Sequence, residues 1–104
     1  MVFGNYTAKD KFNSIASFKL SEAEEDITIV GIEIDEKTDE HGKTFMSATI
    51  KNSDGKLYGT ISDVVTTQLE AVGQMLEEGT KEVMVRVAHR KSGQGREYIV
   101  LEMI

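Results

Sequence analysis

An all-β barrel carrying one helix is the fold class this sequence predicts, and three observations predict it. Five short stretches are rich in β-branched residues or alternate apolar with polar side chains, the pattern of buried or half-buried strands. The spacing switches to a helical period once, over residues 63–78. The breaks between stretches are rich in Gly, Asn, Asp and Ser, the residues of tight turns. At 104 residues the chain is one domain's length. It divides into a partly ordered lead-in, residues 1–26, and a barrel domain, residues 27–104.

In the lead-in, Phe12, Ile15, Phe18 and Leu20 are spaced irregularly, and an acidic run follows over residues 22–26. Phe18 and Leu20 are expected to pack on the core and the first few residues to be mobile. The first strand, residues 27–35, has Gly31 in its middle, a signal for a bend or bulge. Residues 36–43 read as a polar loop. The second strand, residues 44–51, places Met46, Ala48 and Ile50 on one face and Phe45, Ser47, Thr49 and Lys51 on the other. Asn52-Ser-Asp-Gly55 is a turn signal.

The third strand, residues 56–62, is expected to place Leu57, Gly59 and Ile61 inward and Lys56, Tyr58 and Thr60 outward. In that hairpin Ile50 faces Leu57, Ala48 faces Gly59 and Met46 faces Ile61. Val65, Leu69, Val72 and Leu76 then share one face of a helix of about four turns. Ser62 suits its N-cap and Gly79 its stop. The fourth strand, residues 81–89, alternates Val83, Val85 and Val87 with Met84, Arg86 and Ala88. A basic loop, His89-Arg-Lys-Ser-Gly-Gln-Gly-Arg96, leads to an apolar fifth strand, residues 97–104. Five strands with one helix between the third and fourth is the order of the OB-fold barrel.

Composition excludes several functions. There is no Cys, hence no disulfide framework, thiolate metal site or cysteine nucleophile. His41 and His89 lie far apart in sequence, a weak basis for a metal site, and Asp39, Glu40 and His41 lack calcium-loop spacing. Walker, GxSxG and HExxH motifs are missing, and Gly93-Gln-Gly95-Arg96 is too short for a dinucleotide fingerprint. The expectation is a binding protein, not an enzyme, with no cofactor. No run of about 18 apolar residues suggests a membrane span and no apolar signal core opens the chain, so a cytoplasmic location is expected.

The net charge is −6, unevenly spread. Residues 20–79 hold 4 basic and 14 acidic residues, net −10, whereas the flanking segments 1–19 and 80–104 are each net +2. Contact with a polyanion depends on the local patch more than on the total. OB-folds bind ligands on the face of strands two and three and in the flanking loops. There the sequence offers Phe45 and Tyr58 to stack on unpaired bases and Lys51 and Lys56 to meet phosphates. Arg86, His89, Arg90, Lys91, Arg96 and Tyr98, on strands four and five and their loop, complete the candidate nucleic-acid-binding set.

Asp54-Gly-Lys-Leu-Tyr-Gly-Thr-Ile-Ser62, the helix after it, Lys81-Glu-Val-Met-Val-Arg-Val and the glycine-bearing loop together resemble the single-stranded DNA-binding proteins of small phages that replicate by protein priming. Ser17-Phe18-Lys19 is similar to that family's lead-in, and the resemblance spans roughly residues 17–104. It implies a replication accessory protein that coats and protects displaced single strands without sequence preference. By position it makes Tyr58 the foremost stacking residue. The partners it implies are single-stranded DNA and a replicative polymerase or another replication protein, with no membrane. The alternative is an OB-fold protein-interaction module of a replication or recombination complex. A small-ligand binder is weakened as a sugar platform by the lack of Trp, and an acidic DNA mimic is a further possibility.

Overall fold

A computed structural model describes all 104 residues. The chain forms β1 (Val2–Gly4), α1 (Ala8–Asn13), β2 (Phe18–Lys19), β3 (Ile27–Thr38), β4 (Thr44–Asn52), β5 (Leu57–Thr60), α2 (Asp63–Glu77), β6 (Val83–Lys91) and β7 (Glu97–Met103). Single 3-10 turns at Ser14–Ala16 and Leu20–Glu22 flank β2. The strands join one sheet in the order β2-β5-β4-β3-β6-β7, and β1 pairs with β3. Only β2 and β5 run parallel. The sheet curls but does not close, because its end strands, β2 (beside β5) and β7, are not paired. The fold is therefore a mostly β half-barrel with two helices, where five strands and one helix were predicted. No helix is long and apolar enough to cross a membrane.

β3 organises the sheet. Its start, Ile27–Ile29, pairs with β6, and Gly31–Glu33 pairs with β1, while most of its length runs along β4. The β4 register shifts between Ile29 and Gly31, so the bulge expected at Gly31 is present. That extra residue reverses the inside-outside parity. Ile27 and Ile29 before it and Ile32 and Ile34 after it all reach one core. β3 also runs on to Thr38, past the predicted end at residue 35, because Thr38 still pairs with Thr44.

α2 closes the core with Val65, Leu69, Val72 and Leu76, the predicted face. Ser62 caps it through its Oγ, which accepts from the Val65 N–H at 3.3 Å. Gly73 lets the Phe3 ring against the helix: a Cβ there would lie 2.6 Å from the ring.

The β4–β5 register differs from the expectation by one residue. Ile50 faces Tyr58, Ala48 faces Thr60 and Lys51 faces Leu57. Gly55, at φ +88, adds a left-handed residue, making a three-residue loop with a bulge. Asn52 closes it: its N–H donates to the Lys56 carbonyl at 2.9 Å, and its Oδ1 accepts from the Asp54 and Lys56 amides. A one-residue slip turns each side chain to the other face. Tyr58 is consequently in the core, and Ile61, past the end of β5, is exposed.

The lead-in is structured along its length. β1 packs against β3, and the Met1 amine donates to the Ile34 carbonyl at 2.9 Å. Leu20 is fully buried, as expected, but Phe18 is exposed. Residues 5–17 lie across the outer face of β3, β4 and β5, where Asp10 meets Lys51, Lys11 meets Glu33 and Ser17 meets Gly59.

Candidate nucleic-acid interface

The unpaired gap between the β2–β5 edge and β7 forms an open groove of about 1080 Å³. Its walls come from five regions of the chain. The lead-in gives Ile15, Phe18 and Lys19; β3 gives Lys37; β4 gives Ser47 and Thr49; Thr60 ends β5 and Ile61 follows it; β6 and β7 give His89, Tyr98 and Ile99. Ile15, Ile61 and Phe18 are 95%, 67% and 59% exposed, and Tyr98 is 39% exposed. Lys19 and Lys37 have no carboxylate within 4 Å, and Glu97 is the one acid on the wall. In a chain of net charge −6, this groove is slightly cationic, with exposed apolar side chains set among serines and threonines.

Of the predicted site residues, only His89 and Tyr98 line this groove. Tyr58 does not present a face for stacking: it is 1% exposed, and its hydroxyl donates to Glu25 Oε1 at 2.5 Å. Four predicted cations hold carboxylates from distant parts of the chain. Lys51 pairs with Asp10 at 2.9 Å, Lys56 with Glu25 at 3.3 Å, Arg86 with Asp26 at 3.3 Å and Arg90 with Glu102 at 2.6 Å. Lys91 and Arg96 are exposed on the β6–β7 hairpin and make no ion pair. Phe45 is half-buried on β4, opposite Lys37.

The lead-in's carboxylates set the local electrostatics. The Tyr58 hydroxyl, a backbone N–H and then Lys56 hold the Glu25 carboxyl at about 2. Burial, reinforced by Glu25, pushes the Tyr58 hydroxyl up. The Tyr58 hydroxyl and Glu25 raise the Lys56 ammonium, which lies 4.5 Å from the Phe18 ring centroid. Burial pushes the Asp10 carboxyl up, but the Thr7 amide and Lys51 outweigh it, and the pKa falls below the ordinary value. Lys51 and Lys56 therefore act first as partners for the lead-in.

Sequence reasoning missed Phe18, Lys19 and Lys37 as groove residues. Lys37 alternates outward from the core isoleucines of β3, so extending that strand would have placed it. Nothing local signals that β2 lies beside β5. No family model, no characterised protein and no solved structure matches this chain.

Proposed function

We propose that the chain binds single-stranded DNA, without sequence preference, along the open groove between β5 and β7. The observation that carries this reading is the pairing of exposed aromatic rings, Phe18 and Tyr98, with lysines free of carboxylates, Lys19 and Lys37. Unpaired bases stack on such rings, each worth roughly 1–3 kcal/mol, and the ammonium groups take phosphates. Duplex bases are already stacked, so duplex DNA is disfavoured. Read this way, β3 to β7 are the five strands of a partly open OB-fold barrel with α2 between the third and fourth. The biological role is the one the resemblance implies, coating strands displaced during phage-type replication.

Titration of a fluorescent oligo(dT) at low and high salt, with a duplex competitor, tests the proposal. Neutralising the two phosphates that Lys19 and Lys37 can meet gives a log–log salt slope of about −1.4. Tyr98→Ala and Phe18→Ala each weaken binding by roughly fivefold to a hundredfold, the equivalent of one lost stacking contact. Absence of binding at low salt refutes the reading. So does wild-type affinity in the Phe18→Ala/Tyr98→Ala double variant. Ile15 and Ile61 cannot stack, and their exposure favours a second reading, a replication protein docking in the same groove. Co-elution with such a partner, with no response to oligonucleotide, is its signature.

A further inference from the structure

Residues 7–17 cross the face of β4 and β5 without adding apolar bulk to the core. Within α1 and the turn after it, Asp10 is the one buried residue. The two large apolar side chains of this stretch, Phe12 and Ile15, are 81% and 95% exposed. What fastens it is polar. Asp10 Oδ2 meets Lys51 Nζ at 2.9 Å and Lys11 Nζ meets Glu33 Oε2 at 3.1 Å. Tyr6, which precedes it, is buried, and its hydroxyl has no hydrogen-bond partner. A buried ion pair roughly balances its desolvation against its attraction, so such fastening is weak where another anion can replace one partner.

Both ends of the stretch are anchored. On one side β1 is paired with β3, the Asn5 N–H donates to the Val30 carbonyl and Tyr6 is buried; fully buried Leu20 follows on the other. The middle can therefore lift without dismantling the core. Its own residues Ser14, Ile15 and Ser17 form one wall of the groove, and Thr49 lies on the groove two residues along β4 from Lys51. That separation is about 7 Å along a strand.

We propose that residues 7–17 are a strap over a second phosphate site, at Lys51, which a single strand in the groove opens by displacing Asp10. The inference rests on the single-strand reading of the groove and extends its path across β4. In the closed protein the Asp10 carboxylate occupies the place of the phosphate. In the open one Lys51 is released to DNA and Asp10 to solvent.

The test compares oligo(dT) binding by wild type, Asp10→Asn, Asp10→Asn/Lys51→Ala and Glu70→Gln. Glu70 is exposed on α2 and makes no ion pair, so its variant controls for the loss of one negative charge. Asp10→Asn is expected to bind roughly threefold to tenfold more tightly, with a salt slope steeper by about 0.7, the increment of one phosphate. The double variant returns to the wild-type slope. If wild type binds and Asp10→Asn matches Glu70→Gln, the strap is refuted while the groove reading stands. If neither wild type nor Asp10→Asn binds at low salt, the groove reading falls and the strap with it. Hydrogen exchange gives an independent readout on the wild-type protein. DNA should speed exchange of the Lys11 and Ser17 amides, which donate to Thr7 and Ser14. Slower exchange there upon binding would mean a fixed wall and overturn the proposal.

Discussion

Replacing Tyr58 by Leu separates a core residue from a stacking residue. The wild-type ring is 1% exposed and packs among Ile50, Leu20 and the other residues of the main core. Truncating a buried aromatic to Ala costs about 3–5 kcal/mol, a large part of the roughly 5–15 kcal/mol that holds a domain together. Leu retains part of the apolar volume, and the expected loss is about 1–3 kcal/mol. At about 2 kcal/mol the melting temperature falls by roughly 10–15 °C for a domain of this size. The assay is urea unfolding followed by circular dichroism, since the chain has no Trp. The midpoint should fall with the slope unchanged. Under conditions where Tyr58→Leu is folded, its affinity for oligo(dT) should equal that of wild type, although Leu cannot stack. A wild-type urea midpoint with a tenfold loss of affinity would refute the argument and return Tyr58 to the DNA.

Three further perturbations probe the fold. Gly31→Ala puts a Cβ 2.3 Å from the Asn5 carbonyl oxygen, a backbone atom that cannot turn aside. It should cost about 1–3 kcal/mol in urea unfolding, and a stabilised variant would contradict the packing. Gln68 bridges the outer edge of β7, accepting from the Leu101 N–H at 2.7 Å and donating to its carbonyl at 2.8 Å. Gln68→Leu leaves both groups unpaired and should cost about 1–3 kcal/mol by thermal unfolding; no change would mean water serves them equally well. Glu25→Gln tests the acid limb. The folded carboxyl titrates near 2 against an ordinary value of 4.5, so its stabilisation is present above pH 4.5 and is lost as pH falls toward 2. The difference in urea midpoint between wild type and variant should therefore shrink from pH 6 to pH 2, and a constant difference would refute the linkage.

Much of the fold was legible because it follows from local chemistry. The period of Val65, Leu69, Val72 and Leu76, bounded by Ser62 and Gly79, marked α2 closely. The isoleucines of β3 and the flanking valines of β6 marked core strands, and Gly31 marked the bulge. Each depends on residues a few positions apart, where sterics and hydrogen bonding act without the rest of the chain.

The β4–β5 register was harder to read, because it turned on one backbone angle. Both a two-residue and a three-residue loop suit Asn52-Ser-Asp-Gly55, and the left-handed Gly55 selects the one that sends Tyr58 inward. The candidate site depended still more on distant contacts. Whether a lysine is free depends on carboxylates 31 to 41 residues away, as for Lys56 with Glu25 and Lys51 with Asp10. Sequence by itself determined where the cores of β3 to β7, α2 and the turns between them lie, since those are set by neighbours along the chain, but not β1, α1 and β2. Tertiary structure alone decided that β5 and β7 stay apart, that Phe18, Lys37 and Tyr98 share one groove, and that Lys51 and Lys56 are held by the lead-in. Those outcomes depend on how distant segments close on one another, which no local pattern encodes.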